Sequence, residues 1–140
     1  MYLFGQKSLL KLDSCDFDLQ DVAKRALELS PYDFTIIHGW RGEDIQNALY
    51  ASHASTKQWP DSKHNHMIEA VPNSQALDFA PWIDGDIPWD DESIFAIIAG
   101  VFFAAAAELN IKLRYGGDWD SDGSTHDQTL MDWGHVELAE

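Results

Sequence analysis

Ile94 to Ala107 is an unbroken run of apolar residues and glycine, with Asp90, Asp91 and Glu92 before it and Glu108 after it. A membrane-spanning helix needs about 20 such residues, so this stretch is too short to cross a bilayer. A segment apolar on every side must instead be covered by the rest of the chain. It predicts a buried helix from about Asp90 to Asn110, around which the other elements pack. At 140 residues and 15.8 kDa the chain fits one domain, 1–140, large enough to bury a core without covalent staples.

Cys15 is the sole cysteine. That excludes an intrachain disulfide and a cysteine-based structural zinc site, and Cys15 itself reads as a small core residue. The 24 acidic and 9 basic residues give a formal charge of −15, which excludes the positive stripe that a nucleic-acid backbone requires. Residues Met1 to Lys7 lack the charged and apolar regions of a secretory signal. The expectation is synthesis in the cytoplasm, no stable membrane insertion and a monomeric chain.

Leu19, Val22, Ala23, Ala26 and Leu27 form a helical stripe within Ser14 to Ser30, ended by Pro31. Phe34 to Ile37 reads as a buried strand that delivers His38, Gly39, Trp40 and Arg41 at its exit. A second helix follows from Gly42 to His53. Residues 54 to 75 are polar and broken by Pro60 and Pro72, a long loop of the kind that is often functional. Ala76 to Ala80 is a strand stopped by Pro81, and Trp82 to Trp89 is a loop. After the buried helix come a strand from Ile111 to Tyr115, a loop rich in glycine and aspartate, and a short strand from His135 to Leu138. The short late connections favour an α+β fold: a small, mostly antiparallel sheet flanked by helices.

Alternation in Ala76 to Ala80 places Asp78 between two small residues on one strand face, with room beside it for a cation. His135 and Glu137 share one face of the last strand by the same rule, and Val136 points inward. Asp132 lies three residues before His135, where a turn can fold its carboxylate back toward the imidazole. His64, in the long loop, adds a second imidazole. Two imidazoles and a carboxylate would leave a fourth position for water on a tetrahedral ion, and a further carboxylate could take that water's proton.

The ordered set Ser62-x-His64, Ala76-x-Asp78 and Asp132-x-x-His135-x-Glu137-Leu138 is similar to the zinc peptidases of the D-alanyl-D-alanine carboxypeptidase and L-alanyl-D-glutamate endopeptidase family. Phage endolysins of that group are the nearest in pattern. Gly39-Trp40-Arg41 leading into Gln46 to Tyr50 resembles the family's early arginine segment, and Tyr115 to Trp119 resembles its glycine-tryptophan turn. These segments cover residues 35 to 138. The resemblance implies a zinc DD-peptidase (hedgehog-like) fold, with His64, Asp78 and His135 as zinc ligands. It also implies Asp132 as general acid/base, Arg41 as a group that binds substrate or polarises the scissile carbonyl, and Gln46 as a substrate contact beside it.

The implied partner is bacterial peptidoglycan, cleaved in its stem peptide by a phage endolysin that reaches the wall without a wall-binding domain. Terminal D-alanyl-D-alanine cleavage, or wall or metal binding without turnover, are the alternatives. The sequence departs from the family pattern in two places. His64 and Asp78 stand fourteen residues apart, wider than the usual motif, with an apparent insertion in Asn65 to Gln75 that makes His66 a rival ligand. Trp133-Gly134 replaces a proline-containing pair. Asp118, Asp120 and Asp122 followed by Gly123 resemble the opening of a calcium loop, but Thr129 stands where its glutamate belongs, and a solvated acidic turn is the other reading. His38, His53 and His126 read as structural or surface residues.

Overall fold

The computed structural model describes residues 1–119, 121 and 132–139. Its helices are α1 (Gln6–Asp13), α2 (Phe17–Leu29), α3 (Glu43–Ala51) and α4 (Glu92–Glu108). Its strands are β1 (Phe34–His38), β2 (Met67–Ile68), β3 (Val71–Pro72), β4 (Ala76–Pro81), β5 (Leu113–Tyr115) and β6 (His135–Leu138), and a 3-10 turn spans Lys63–Asn65. β1, β4, β6 and β5 form, in that spatial order, a four-stranded sheet whose neighbours all pair antiparallel. The expected α+β class and antiparallel sheet are both present.

α4 is the helix read from the apolar run, but it is covered on one face only, so the expectation of full burial is not met. Phe95, Ile98, Ala99, Phe102, Ala105 and Ala106 line its covered side, while Ile97 and Phe103 remain partly open to solvent. Phe102 stacks on Phe79 of β4 with ring centroids 5.0 Å apart and lies 5.3 Å from Phe34 of β1. α4 packs on β4 and β5, α2 packs on α4, and α1 packs on β1. Cys15 is buried in the same core, and burial pushes its thiol up to about 12, which keeps it unreactive.

Two elements lie outside the expectation. The helix read within Ser14 to Ser30 is α2, shorter at its start because Asp16 caps it by accepting from the Asp18 N–H, and before it stands α1, a helix that the sequence reading did not include. α1 has no side-chain cap and is eight residues long, too short to signal itself by periodicity. Tertiary contacts hold it: Leu12 is buried, and Ser8 Oγ lies 2.9 Å from Thr35 Oγ1 and accepts from the Ile36 N–H at 3.1 Å. The second element is the β2–β3 hairpin, which accounts for the insertion between His64 and Asp78. Its turn residues Glu69 and Ala70 both adopt left-handed φ, 51° and 63°, with neither the glycine nor the asparagine that usually announces such a turn.

The loop between Tyr115 and β6 approaches β4 closely at Gly134. A Cβ there would lie 2.4 Å from the Phe79 carbonyl oxygen and 3.3 Å from the Phe95 ring, while the Phe79 N–H donates to the Gly134 carbonyl at 2.8 Å. Only glycine allows β6 to enter the sheet at this height. Gly134→Ala is expected to destabilise the protein by about 1–3 kcal/mol through overpacking, measured as a lower urea midpoint at constant slope. An unchanged midpoint would show that this close approach is not a constraint.

Candidate active site

Three separate stretches converge at the centre of the sheet. Strand register sets Asp78 directly opposite His135 on β6 and opposite His38 on β1. His64 arrives from the 3-10 turn, where Ser62 Oγ accepts from the His64 backbone N–H at 3.2 Å and Asn65 Oδ1 accepts from the Ser62 N–H at 3.0 Å. Asn65 ties the turn to the β1 exit by donating to the Arg41 carbonyl at 3.0 Å, and the Arg41 N–H donates to the His64 carbonyl at 2.9 Å. Ser62 thus supports His64 through the backbone.

The facing atoms form a tight triangle. His64 Nε2 lies 3.3 Å from His135 Nδ1 and 3.4 Å from Asp78 Oδ1, and His135 Nδ1 lies 3.1 Å from the same carboxylate oxygen. The far side of each imidazole is held. His64 Nδ1 is 2.8 Å from the Gly39 carbonyl, which can only accept, so that nitrogen carries the proton and Nε2 faces the triangle with its lone pair. His135 Nε2 is 2.8 Å from Glu137 Oε1 and is oriented by that carboxylate. Such outer contacts fix the tautomer and aim of metal-binding histidines. The edges of a tetrahedron with bonds of about 2.0–2.1 Å measure about 3.3–3.4 Å, so His64, Asp78 and His135 fit a divalent ion. Among the described residues this is the set of three whose ligand atoms lie within 4.8 Å of one another. His66 is not in it: its ring bonds the Asn73 carbonyl at 2.9 Å.

The charges reinforce the convergence. Burial opposes ionisation of Asp78, yet the imidazoles of His64, His135 and His38 hold its carboxyl well below the usual range. Burial lowers His64 below its ordinary value. For His135 burial acts the same way, but Asp78 and Glu137 outweigh it and raise the imidazole to about 9. Burial would raise Glu137, but contact with His135 and then Lys63 holds it at about 2. Lys63 Nζ sits 3.2 Å from Glu137 Oε2 and also donates to the Leu138 carbonyl.

Arg41 comes from the β1 exit as expected, and its Nη2 donates to Asp78 Oδ2 at 2.5 Å. Gln46 is fully buried and does not line the groove over the triangle. Its Oε1 accepts from Arg41 Nη1 at 3.4 Å, and its amide donates to Ser55 Oγ at 3.0 Å and to the Lys57 carbonyl at 2.6 Å. Its place is behind Arg41, with its polar atoms engaged inside the protein. His38, read from sequence as structural or surface, lies 3.1 Å from Asp78 Oδ2. A backbone irregularity between Ile36 and His38 accompanies this placement, and no spacing in the sequence announces it. Glu137, two residues after His135, carries the alternation signal that identified their shared face.

Asp132 stands beside the triangle, with Oδ2 4.0 Å from His135 Nδ1 and about half of its side chain (49%) open to solvent. Its backbone is pinned by hydrogen bonds with Gly116 and His135. Partial burial and the nearby charge of Asp78 raise its carboxyl above the ordinary value. Two cavities meet at Arg41, Ala54 and Asp132. One, of about 510 Å³, runs past His64, His135, Lys63, Arg114 and His53; the other, of about 370 Å³, runs past Ile37, Phe79, Trp89 and Trp133. Together they form a continuous cleft with a polar arm and an apolar arm. Of the acidic segment that resembles the opening of a calcium loop, Asp118 donates its N–H to the Tyr115 carbonyl, while Asp120, Asp122, Gly123 and Thr129 lie outside the described residues, as does His126.

Comparison with known proteins gives the same picture. The chain is 41% identical to the L-alanyl-D-glutamate peptidase of Escherichia phage T5, over 99% of this chain and 98% of that protein. It superposes on an L-Ala-D-Glu endopeptidase of Serratia marcescens with a TM-score of 0.78 and 25% identity, covering 98% of this chain and 90% of the other. Residues 1–139 match the family model for phage L-alanyl-D-glutamate peptidases, and with a buried histidine–aspartate–histidine triangle at the head of its cleft the chain belongs to that family.

Proposed function

We propose that the protein is a zinc-dependent peptidase that cleaves the L-alanyl-D-glutamate bond of peptidoglycan stem peptides, acting as a phage endolysin at the bacterial wall. The observation that carries this reading is the triangle of His64, Asp78 and His135 at the junction of the two cleft arms, in a chain 41% identical to a named peptidase of that specificity. Two nitrogens and one oxygen at these distances form a donor set suited to zinc, with one position left for solvent. Zinc bound there supplies a Lewis acid and brings the pKa of water toward about 7.

The protein's own residues account for the remaining work. Asp132 lies next to the triangle, half open to the cleft, and its raised carboxyl suits a group that takes a proton from the attacking water and returns one to the leaving amine. Arg41 is committed to Asp78 through Nη2 and to Gln46 through Nη1. Its first role is to hold the ligand carboxylate, while its fixed charge beside the reacting centre stabilises the developing oxyanion. Gln46 acts through Arg41, and Glu137 acts through His135.

Digestion of purified walls should release new alanyl carboxyl and glutamyl amino termini. Activity should vanish on treatment with a zinc chelator and return with added zinc. Chelator-resistant digestion, or free D-alanine as the product, would contradict this reading. Asp132→Asn should retain zinc, measured by atomic absorption, while kcat falls by about 10²- to 10⁴-fold, the range for loss of a general acid/base; near-normal turnover would remove its assigned role. His64→Ala should lose stoichiometric zinc, whereas His66→Ala should keep both zinc and activity. The opposite pattern would move the ligand to His66.

A further inference from the structure

The polar arm of the cleft runs against the charge of the molecule. Its described lining includes Arg41, Lys57, Lys63 and Arg114, four of the chain's nine lysines and arginines, but only three of its 24 acids. The apolar arm, lined by Ile37, Phe79, Trp89 and Trp133 among others, shares Arg41 with the polar arm and has no further lysine or arginine among its described lining residues. Three of the four cations are not arranged to receive a ligand. Arg41 is spent on Asp78, Lys63 on Glu137 and the Leu138 carbonyl, and among the described residues no hydrogen bond fixes the ammonium of exposed Lys57.

Arg114 differs from them. β5 pairs with β6 so that Arg114 stands across from Glu137. Its guanidinium carbon lies 4.9 Å from the centre of the Trp119 ring, which fixes the plane of the group. Nη1 reaches Glu137 Oε2 only at 3.9 Å, beyond hydrogen-bond distance, and its buried Nε–H, like that of Arg41, has no hydrogen-bond partner among the described residues. Unlike the Arg41 side chain, which is closed by Asp78, that of Arg114 remains 43% exposed. Among the described residues this is an oriented fork of N–H donors without an acceptor, at the edge of a cleft beside the candidate peptidase centre. A planar carboxylate matches such a fork through two parallel hydrogen bonds.

A glutamyl residue inside a peptide uses one carboxyl to continue the chain and keeps the other free. We propose that Arg114 recognises this free carboxylate on the leaving side of the scissile bond, so that the polar arm takes the glutamyl side of the substrate and the apolar arm the alanyl side. The inference rests on the reading of the cleft as an L-alanyl-D-glutamate peptidase site.

The test uses the zinc-loaded full chain and two synthetic stem peptides that differ at one group: the free glutamyl carboxylate or the corresponding carboxamide. Wild type should favour the carboxylate peptide by about 10- to 100-fold in kcat/KM, the effect of a charge-assisted hydrogen-bonded pair. Arg114→Gln should lose that factor on the carboxylate peptide alone and match wild type on the carboxamide. Arg114→Lys, which keeps the charge beside Glu137 without the fork, should show a smaller loss confined to the same peptide, and it carries the test if the glutamine variant does not fold. Equal wild-type rates on both peptides would overturn the proposal. So would an equal loss on both in either variant, since that marks a structural role through Glu137. Cleavage of both peptides at a different bond would instead overturn the peptidase reading on which the proposal stands.

Discussion

The Asp78 carboxylate is the interaction on which the rest of the site depends. It sits in the centre of the sheet, paired across β4 with His38 on one side and His135 on the other. Its two oxygens divide the work: Oδ1 faces His135 and His64, while Oδ2 is held by Arg41 and His38. A buried carboxylate is costly unless it is paired and hydrogen-bonded, and here four neighbours, His38, Arg41, His64 and His135, lie within pairing distance of it. Shifting β4 by one residue would turn Asp78 into the aromatic core and Phe79 into the cleft. The register that packs Phe79 on Phe102 therefore also builds the triangle of His64, Asp78 and His135 that could hold a metal ion.

The residues legible in the sequence are those whose signal is local. Alternation in β4 and β6 placed Asp78, His135 and Glu137 on their faces, and β6 spans His135–Leu138 as read. The apolar run gave α4, and the strand from Phe34 gave the Arg41 exit. What could not be read is held by distant contacts. α1 depends on Ser8 meeting β1, the β2–β3 hairpin turns through two non-glycine residues at left-handed φ, and His38 reaches Asp78 only because two strands pair. Gln46 is instructive in another way. The family resemblance implied a substrate contact there, and the structure shows a side chain with no exposed surface, bonded at both amide atoms behind Arg41. The choice of His64 over His66 also needed coordinates. Both rings bond a backbone carbonyl through Nδ1, and only the 3-10 turn decides which of them faces Asp78.

The turn before β6 joins the fold to the chemistry. Gly116 and Gly134 both permit approaches that a Cβ would block: at Gly116 it would lie 2.2 Å from the Asp132 carbonyl oxygen, and at Gly134 it would lie 2.4 Å from that of Phe79. Asp132 is thus clamped from one side by the end of β5 and from the other by the entry to β6. This holds the Asp132 carboxylate beside His135 and outside the triangle of His64, Asp78 and His135, the fixed placement that the general acid/base role proposed for it requires.

The charge of the chain separates encounter from recognition. At −15 the molecule repels an anionic polymer at distances up to a Debye length, about 10 Å at 0.1 M salt, so long-range attraction cannot bring it to an acidic wall. Inside the cleft the balance reverses, because four cations meet three acids among the described lining residues and low-dielectric walls strengthen each contact. Specificity must then reside in groups that act at hydrogen-bond distance. The guanidinium of Arg114, held flat by Trp119 and short of a full bond to Glu137, is, among the described residues of that arm, the exposed guanidinium that is oriented without an acceptor closing it.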